Sequence, residues 1–273
     1  MSKTFISGLG FRLSVGVPLL VVAAGAWYLS AYSLQASSPM TMESSMGSVP
    51  LATMSAMFSS PGAGMLSTFL LVWLVGMVAM MFPAMIPVMS FYSGMTTAEE
   101  GQQSSTRLVR PVVFLGGYLS LYALLGLGLY AAVYAVFQLS LVLPSLSSLY
   151  TAGVVAVLFV TGVWQLTPLK EKSLSKCVSP LGFFLTHFKK GFSGAFRMGA
   201  EHGVYCVGCC WLYMLVMLAV AAMSLLSMAL LSGLIIVEKA FVGRSSWFKW
   251  VSAGIFFSLA LLVIASPSYL ALF

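Results

Sequence analysis

Residues 203–237 run for 35 positions without one charged side chain. A single helix of that length would be about 52 Å long, far beyond the roughly 30 Å hydrocarbon core of a bilayer. The run therefore reads as a hairpin of two short helical arms that turns near Met223 and Ser224. Shorter, strongly apolar runs recur at 13–34, 66–92, 112–137, 149–166 and 247–264, the last with Lys249 near its start. Each is near the roughly 20 apolar residues that cross a bilayer. Together they predict an all-α, polytopic transmembrane helical bundle of about seven spans, forming a single integral membrane domain over residues 1–273.

Charge is scarce enough to fix an orientation. Only 7% of residues are charged, where a soluble domain carries about 25%, so a soluble enzyme or nucleic-acid binder is excluded. With seven spans, all 13 basic residues fall on one side, from Lys3 and Arg12 through Lys170–Arg197 to Lys239, Arg244 and Lys249. The positive-inside rule makes that side cytoplasmic. A cell-membrane protein follows, with its N-terminus inside and its C-terminus outside. Treating 203–237 as one span would put the last basic group outside. The first span, behind Lys3 and Arg12, is long for a signal peptide and lacks a clear small-residue cleavage site, so it reads as retained. The net charge of +7 is accordingly a topology signal. The lipid bilayer is the implied surroundings, and nucleic acid is not an implied partner. Segment 35–65 is expected as a Met-rich external loop and segment 167–200 as a basic cytoplasmic loop.

The chain holds 18 Met, twelve of them between Met40 and Met95. Met40, Met42, Met46, Met54, Met57 and Met65 lie in the external loop. Met77, Met81, Met85 and Met89 recur every fourth residue and form one helical stripe. Pro83 and Pro87 interrupt that helix and should free carbonyls near Ala79 and Pro83. Thioethers are neutral, soft ligands that favour Cu(I) over hard cations. Met also fills irregular gaps in cores, so a packing seam is the competing reading of the stripe.

The sharpest constellation is His202, Cys206, Cys209 and Cys210. His202, Cys206 and Cys210 stand at i, i+4 and i+8, on one helical face, with Met214 continuing it. Imidazole, thiolate and thioether together suit Cu(I), with zinc as an alternative. Packing is the competing reading here too, because buried Cys is a small apolar residue and Gly203 and Gly208 permit close helix contact. Cys177, in the 167–200 loop, is a candidate fourth ligand. Glu238, at a membrane boundary, is expected to pair with Lys239 or Arg244. Gln165 is polar but uninformative by itself. No paired carboxylates, phosphate loop or nucleophile elbow occurs, so no catalytic residue is assigned.

At these residues the chain resembles the predicted metal-binding integral membrane proteins, a family of unknown function. Three blocks carry the resemblance: Trp73 with Met77–Pro83; Gln165–Lys170 running on to Cys177 and Ser179–Gly182; and Met198, Gly199, His202, Gly203, Tyr205–Trp211, closing with Glu238 and Lys239. It covers about residues 65–265. One departure is the stretch Ala221, Ala222, Met223, Ser224, where the family tends to carry Gly-Val-Met-Asn. The expected function is soft-metal handling, most simply of copper as Cu(I), in support of a membrane copper enzyme or other membrane subunits. Two alternatives stand beside it: a non-catalytic structural subunit of a larger membrane complex, and a thiol redox protein working through Cys206 and Cys209.

Overall fold

The computed structural model describes residues 2–36, 63–100, 104–142, 150–221, 225–241 and 247–265. Among these the secondary structure is helical, without strands: α1 (Ser2–Ala36), α2 (Ala63–Glu100), α3 (Ser104–Val142), α4 (Tyr150–Gln165), α5 (Pro168–Val178), α6 (Pro180–His187), α7 (Gly191–Ala221), α8 (Leu225–Phe241) and α9 (Trp247–Ala265). The Met-rich segment between α1 and α2 and the residues around Met223 and Ser224 lie outside the described residues.

Five helices carry stretches long and apolar enough to cross a membrane: Val15–Tyr32, Leu66–Thr96, Val109–Val136, Gly191–Ala219 and Trp247–Ala265. The fold is thus an all-α bundle compatible with a multi-pass membrane protein. α4 and α5 together are also long and apolar enough, but they are bent by 70° at the break between them, as in a broken span or a re-entrant pair. α8 has 17 residues, about 26 Å, and is a short arm as expected. Its partner is not. α7 has 31 residues and starts at Gly191, inside the segment read as loop. The reason is local. Arg197 does not end a helix, and it pairs with Glu201 one turn on at 3.0 Å.

The rest of the 167–200 segment is also folded. Thr167 caps α5 by accepting a hydrogen bond from the Lys170 amide, with Pro168 at the first helical position. Ser179 and Pro180 repeat the same device for α6. A hydroxyl residue before proline is a helix-start signal, because proline lacks only an N–H that would have no helical partner there.

α7 is the centre of the bundle, packing against α3, α4, α5 and α8, while α2 packs against α1, α3, α6 and α8. The α3–α7 crossing is close because glycines meet backbone. A Cβ at Gly117 would collide with the Phe196 carbonyl, and one at Gly199 with the Phe114 carbonyl. α2 continues through Pro83 and Pro87. The carbonyl that Pro83 deprives of its helical donor, Ala79 O, accepts a hydrogen bond from Trp27 Nε1 of α1 at 3.1 Å. The proline thus opens an acceptor that fixes the α1–α2 pairing.

Candidate metal centre

Met77, Met81, Met85 and Met89 are each at most 1% exposed, so the stripe on α2 faces the interior. His202, Cys206, Cys209 and Cys210 are likewise buried on α7. Burial alone does not separate packing from ligation. The geometry of the sulfurs does more.

Cys177, Cys206 and Cys209 bring their Sγ atoms within 4.8 Å of one another, and all three are buried. α5 supplies Cys177 and α7 the other two. Cys177, the open candidate at the level of sequence, is therefore part of the group, whereas His202 and Cys210 lie outside it. All four cysteines are free thiols. The Cys209 and Cys210 thiols both donate to the Cys206 carbonyl, at 3.0 and 2.8 Å. These are bonds back along the helix from i+3 and i+4.

Cys206 is the most heavily engaged sulfur. It lies 3.2 Å from Tyr118 Oη of α3, and it accepts from Lys239 Nζ of α8 at 3.4 Å. Tyr118 also donates to Tyr122 Oη at 3.2 Å. Cys206 is thus the sulfur that ties α7 to both α3 and α8. Neither Tyr118 nor Lys239 was assigned to the site from sequence. The Lys239 signal was present, as a cation at the end of an apolar run with no solvent within reach.

His202 lies one turn before Cys206, in a ring of buried aromatics. Its ring centroid is 5.1 Å from Phe183, 6.2 Å from Phe114 and 6.3 Å from Tyr118. Both imidazole nitrogens are buried without a hydrogen-bond partner. Leaving a polar group unsatisfied in an apolar pocket costs roughly 1–3 kcal/mol. His202 thus offers two unpartnered imidazole nitrogens one turn from Cys206.

A second polar group lies next to the thiols. Lys170 of α5 is 2% exposed and its ammonium contacts Gln165 Oε1, Glu238 Oε1 and, at 3.1 Å, Tyr213 Oη. Tyr213 donates to Glu238 Oε2 at 2.9 Å, and Gln165 Nε2 donates to Tyr213 Oη at 2.7 Å. This corrects the expected partner of Glu238. The carboxylate pairs with Lys170 from a distant segment, while the adjacent Lys239 turns to Cys206; Arg244 lies outside the described residues. Neighbours in a helix diverge by about 100°, so Glu238 reaches Lys170 of α5 and Tyr213 of α7, while Lys239 reaches Cys206, two turns earlier on α7.

The profile of a copper chaperone family, PpoB2, matches residues 70–263. The chain belongs to the PpoB2 copper chaperone family. The matched range is close to the 65–265 expected from the sequence blocks, and it contains the methionine stripe, the thiol group and the Lys170–Glu238 cluster. Membership ties the chain to copper handling, and the buried cysteines supply a group able to hold a metal. No curated relative and no solved structure matches the chain.

Proposed function

We propose that this chain is a multi-pass cell-membrane chaperone that carries Cu(I) as cargo on Cys177, Cys206 and Cys209 and delivers it to a membrane copper enzyme. The observation that carries the reading is the convergence of three buried free thiols from two helices. Thiolate sulfur selects Cu(I) by softness, and copper is the metal of the matched family. His202 is a neighbouring donor one turn away, and Cys210 supports the backbone of Cys206. Met77, Met81, Met85 and Met89 form a relay of neutral sites along α2. The methionines and the cysteines belong to one buried cluster, and α3 and α8 each pack against both α2 and α7. Neutral thioethers hold Cu(I) less tightly than thiolates, which gives transfer a direction toward the cysteines. The basic segments face the cytoplasm, where thiols stay reduced.

The test is titration of the detergent-purified protein with Cu(I) against a competing chelator. One tight Cu(I) per chain is expected, lost in the Cys177→Ser/Cys206→Ser/Cys209→Ser triple variant. Unchanged stoichiometry and affinity in that variant would sink the assignment.

A further inference from the structure

Two features of the interior lie side by side: the thiol group and the buried Lys170–Glu238 cluster. The first has a proposed role, whereas the second has none so far. A buried ion pair is a poor source of stability, because desolvation offsets most of the attraction. An apolar pair would hold four helices together at less cost. What an ion pair with defined hydrogen bonds supplies is position.

The geometry says what is positioned. On α5 the buried residues are Lys170, Leu174 and Cys177, one face spanning two turns. On α7, Cys209 stands one turn before Tyr213. Lys170 meets Tyr213, and Cys177 meets Cys206 and Cys209. The two helices therefore run antiparallel, with the ammonium at one rung and the thiols at the next. At the thiol rung, Gly208 lets α5 approach: a Cβ there would lie 3.1 Å from Ser173 Oγ. α8 closes the arrangement, Glu238 reaching Lys170 and Lys239 reaching Cys206. α5 itself is an 11-residue helix set at 70° to α4. Such a short element is anchored by what its side chains grip.

We propose that Lys170 and Glu238 are positioning residues for the copper site: their ion pair, held by Tyr213 and Gln165, pins α5 so that Cys177 is presented as the third sulfur donor. The inference rests on the functional reading above. It makes α5 the movable wall of the site. With the pair intact the site offers three sulfurs. With it broken, Cys177 withdraws and the site offers the two sulfurs of α7, a weaker holder and a better giver.

The experiment is a double-mutant cycle between Lys170→Met and Cys177→Ser, read by Cu(I) affinity against a chelator and by the Cu–S coordination number from X-ray absorption. Supporting groups of metal ligands typically contribute about 10–100-fold in affinity. Lys170→Met should weaken Cu(I) binding by about that factor and reduce three sulfurs to two, as Cys177→Ser does. In the Cys177→Ser background, Lys170→Met should add little, because the ligand it positions is already gone. Glu238→Gln keeps the shape of the carboxylate and carries the same cycle should Lys170→Met fail to fold. Three sulfurs and wild-type affinity in the variants would overturn the inference, as would equal weakening with and without Cys177. Wild-type protein that takes up no Cu(I) would overturn the functional reading and this inference with it; the two failures are therefore distinguishable.

Discussion

Cys209 and Cys210 offer a matched pair for testing the thiol assignment. They are adjacent on α7, at 3% and 2% exposure, and both donate to the Cys206 carbonyl. Replacement by Ser keeps the size and, at either position, that hydrogen bond. The one large difference is that Cys209 Sγ belongs to the group with Cys177 and Cys206, and Cys210 Sγ does not. Structural zinc sites with four ligands bind with about 10–16 kcal/mol, or roughly 3 kcal/mol per donor. On that scale, loss of one thiolate weakens metal binding by about 100-fold, since each 1.4 kcal/mol is tenfold. Cys209→Ser should therefore lower Cu(I) affinity about 100-fold, and Cys210→Ser less than about threefold. The assay is competition with a Cu(I)-specific chelator at fixed ionic strength, with thermal melting of both metal-free variants as the control. Similar melting with divergent affinity is the expected pattern. If Cys210→Ser weakened Cu(I) binding as much as Cys209→Ser, ligation would follow the i, i+4, i+8 face of α7 and the three-thiol grouping would be wrong.

Other outcomes follow from the same structure. His202→Leu should raise the stability of the metal-free protein by about 1–3 kcal/mol, by removing two unpartnered buried nitrogens, while lowering Cu(I) uptake; a melting temperature that falls, with uptake unchanged, would contradict its role as a donor. Gly199→Val should push α7 away from the Phe114 carbonyl, costing about 1–3 kcal/mol or more; equilibrium unfolding in detergent reads this, and a neutral result would contradict the close crossing. Trp27→Phe should remove the indole donor to Ala79 O and cost about 1 kcal/mol, visible as a lower melting temperature that Pro83→Ala partly restores by closing that acceptor. Reporter fusions after residue 190 should be active only with cytoplasmic reporters; activity of a periplasmic reporter at that point would reverse the orientation drawn from the positive-inside rule.

Much of this fold was legible in the sequence because a membrane chain writes its spans in long apolar runs. The division of 203–237 into two helices followed from length and charge alone. The helices within 167–200 are less legible, because a run of charges reads as a connecting segment whether or not it is helical. Lys170 is in fact buried, Thr167 and Ser179 are caps, and a basic helix can fold against a bundle when its cation has a partner inside. The cysteines on α7 were visible as a motif, since their spacing is local. The assignment of Cys177 stayed open because its meeting with Cys206 is a tertiary fact, 29 residues away in the chain. Gln165 was passed over for the same reason: a lone amide has no meaning until Lys170 and Tyr213 are placed around it.

The buried charges carry the last step of the argument. Among the described residues, the buried ionic side chains are Lys170, Glu238 and Lys239. They sit on α5 and α8, the helices that flank the thiols. An ion inside the bundle is expensive wherever it is placed, so a chain selected only for packing would scatter none there. Lys170 and Glu238 cancel each other and fix a helix. Lys239 faces the Cys206 sulfur instead. A soft monovalent ion bound at the proposed site would bring one further positive charge together with bonds to sulfur. The ionic groups and the sulfurs are thus neighbours in one arrangement, Lys239 beside Cys206 and Lys170 on the same buried face of α5 as Cys177, which is the placement the proposed copper site requires.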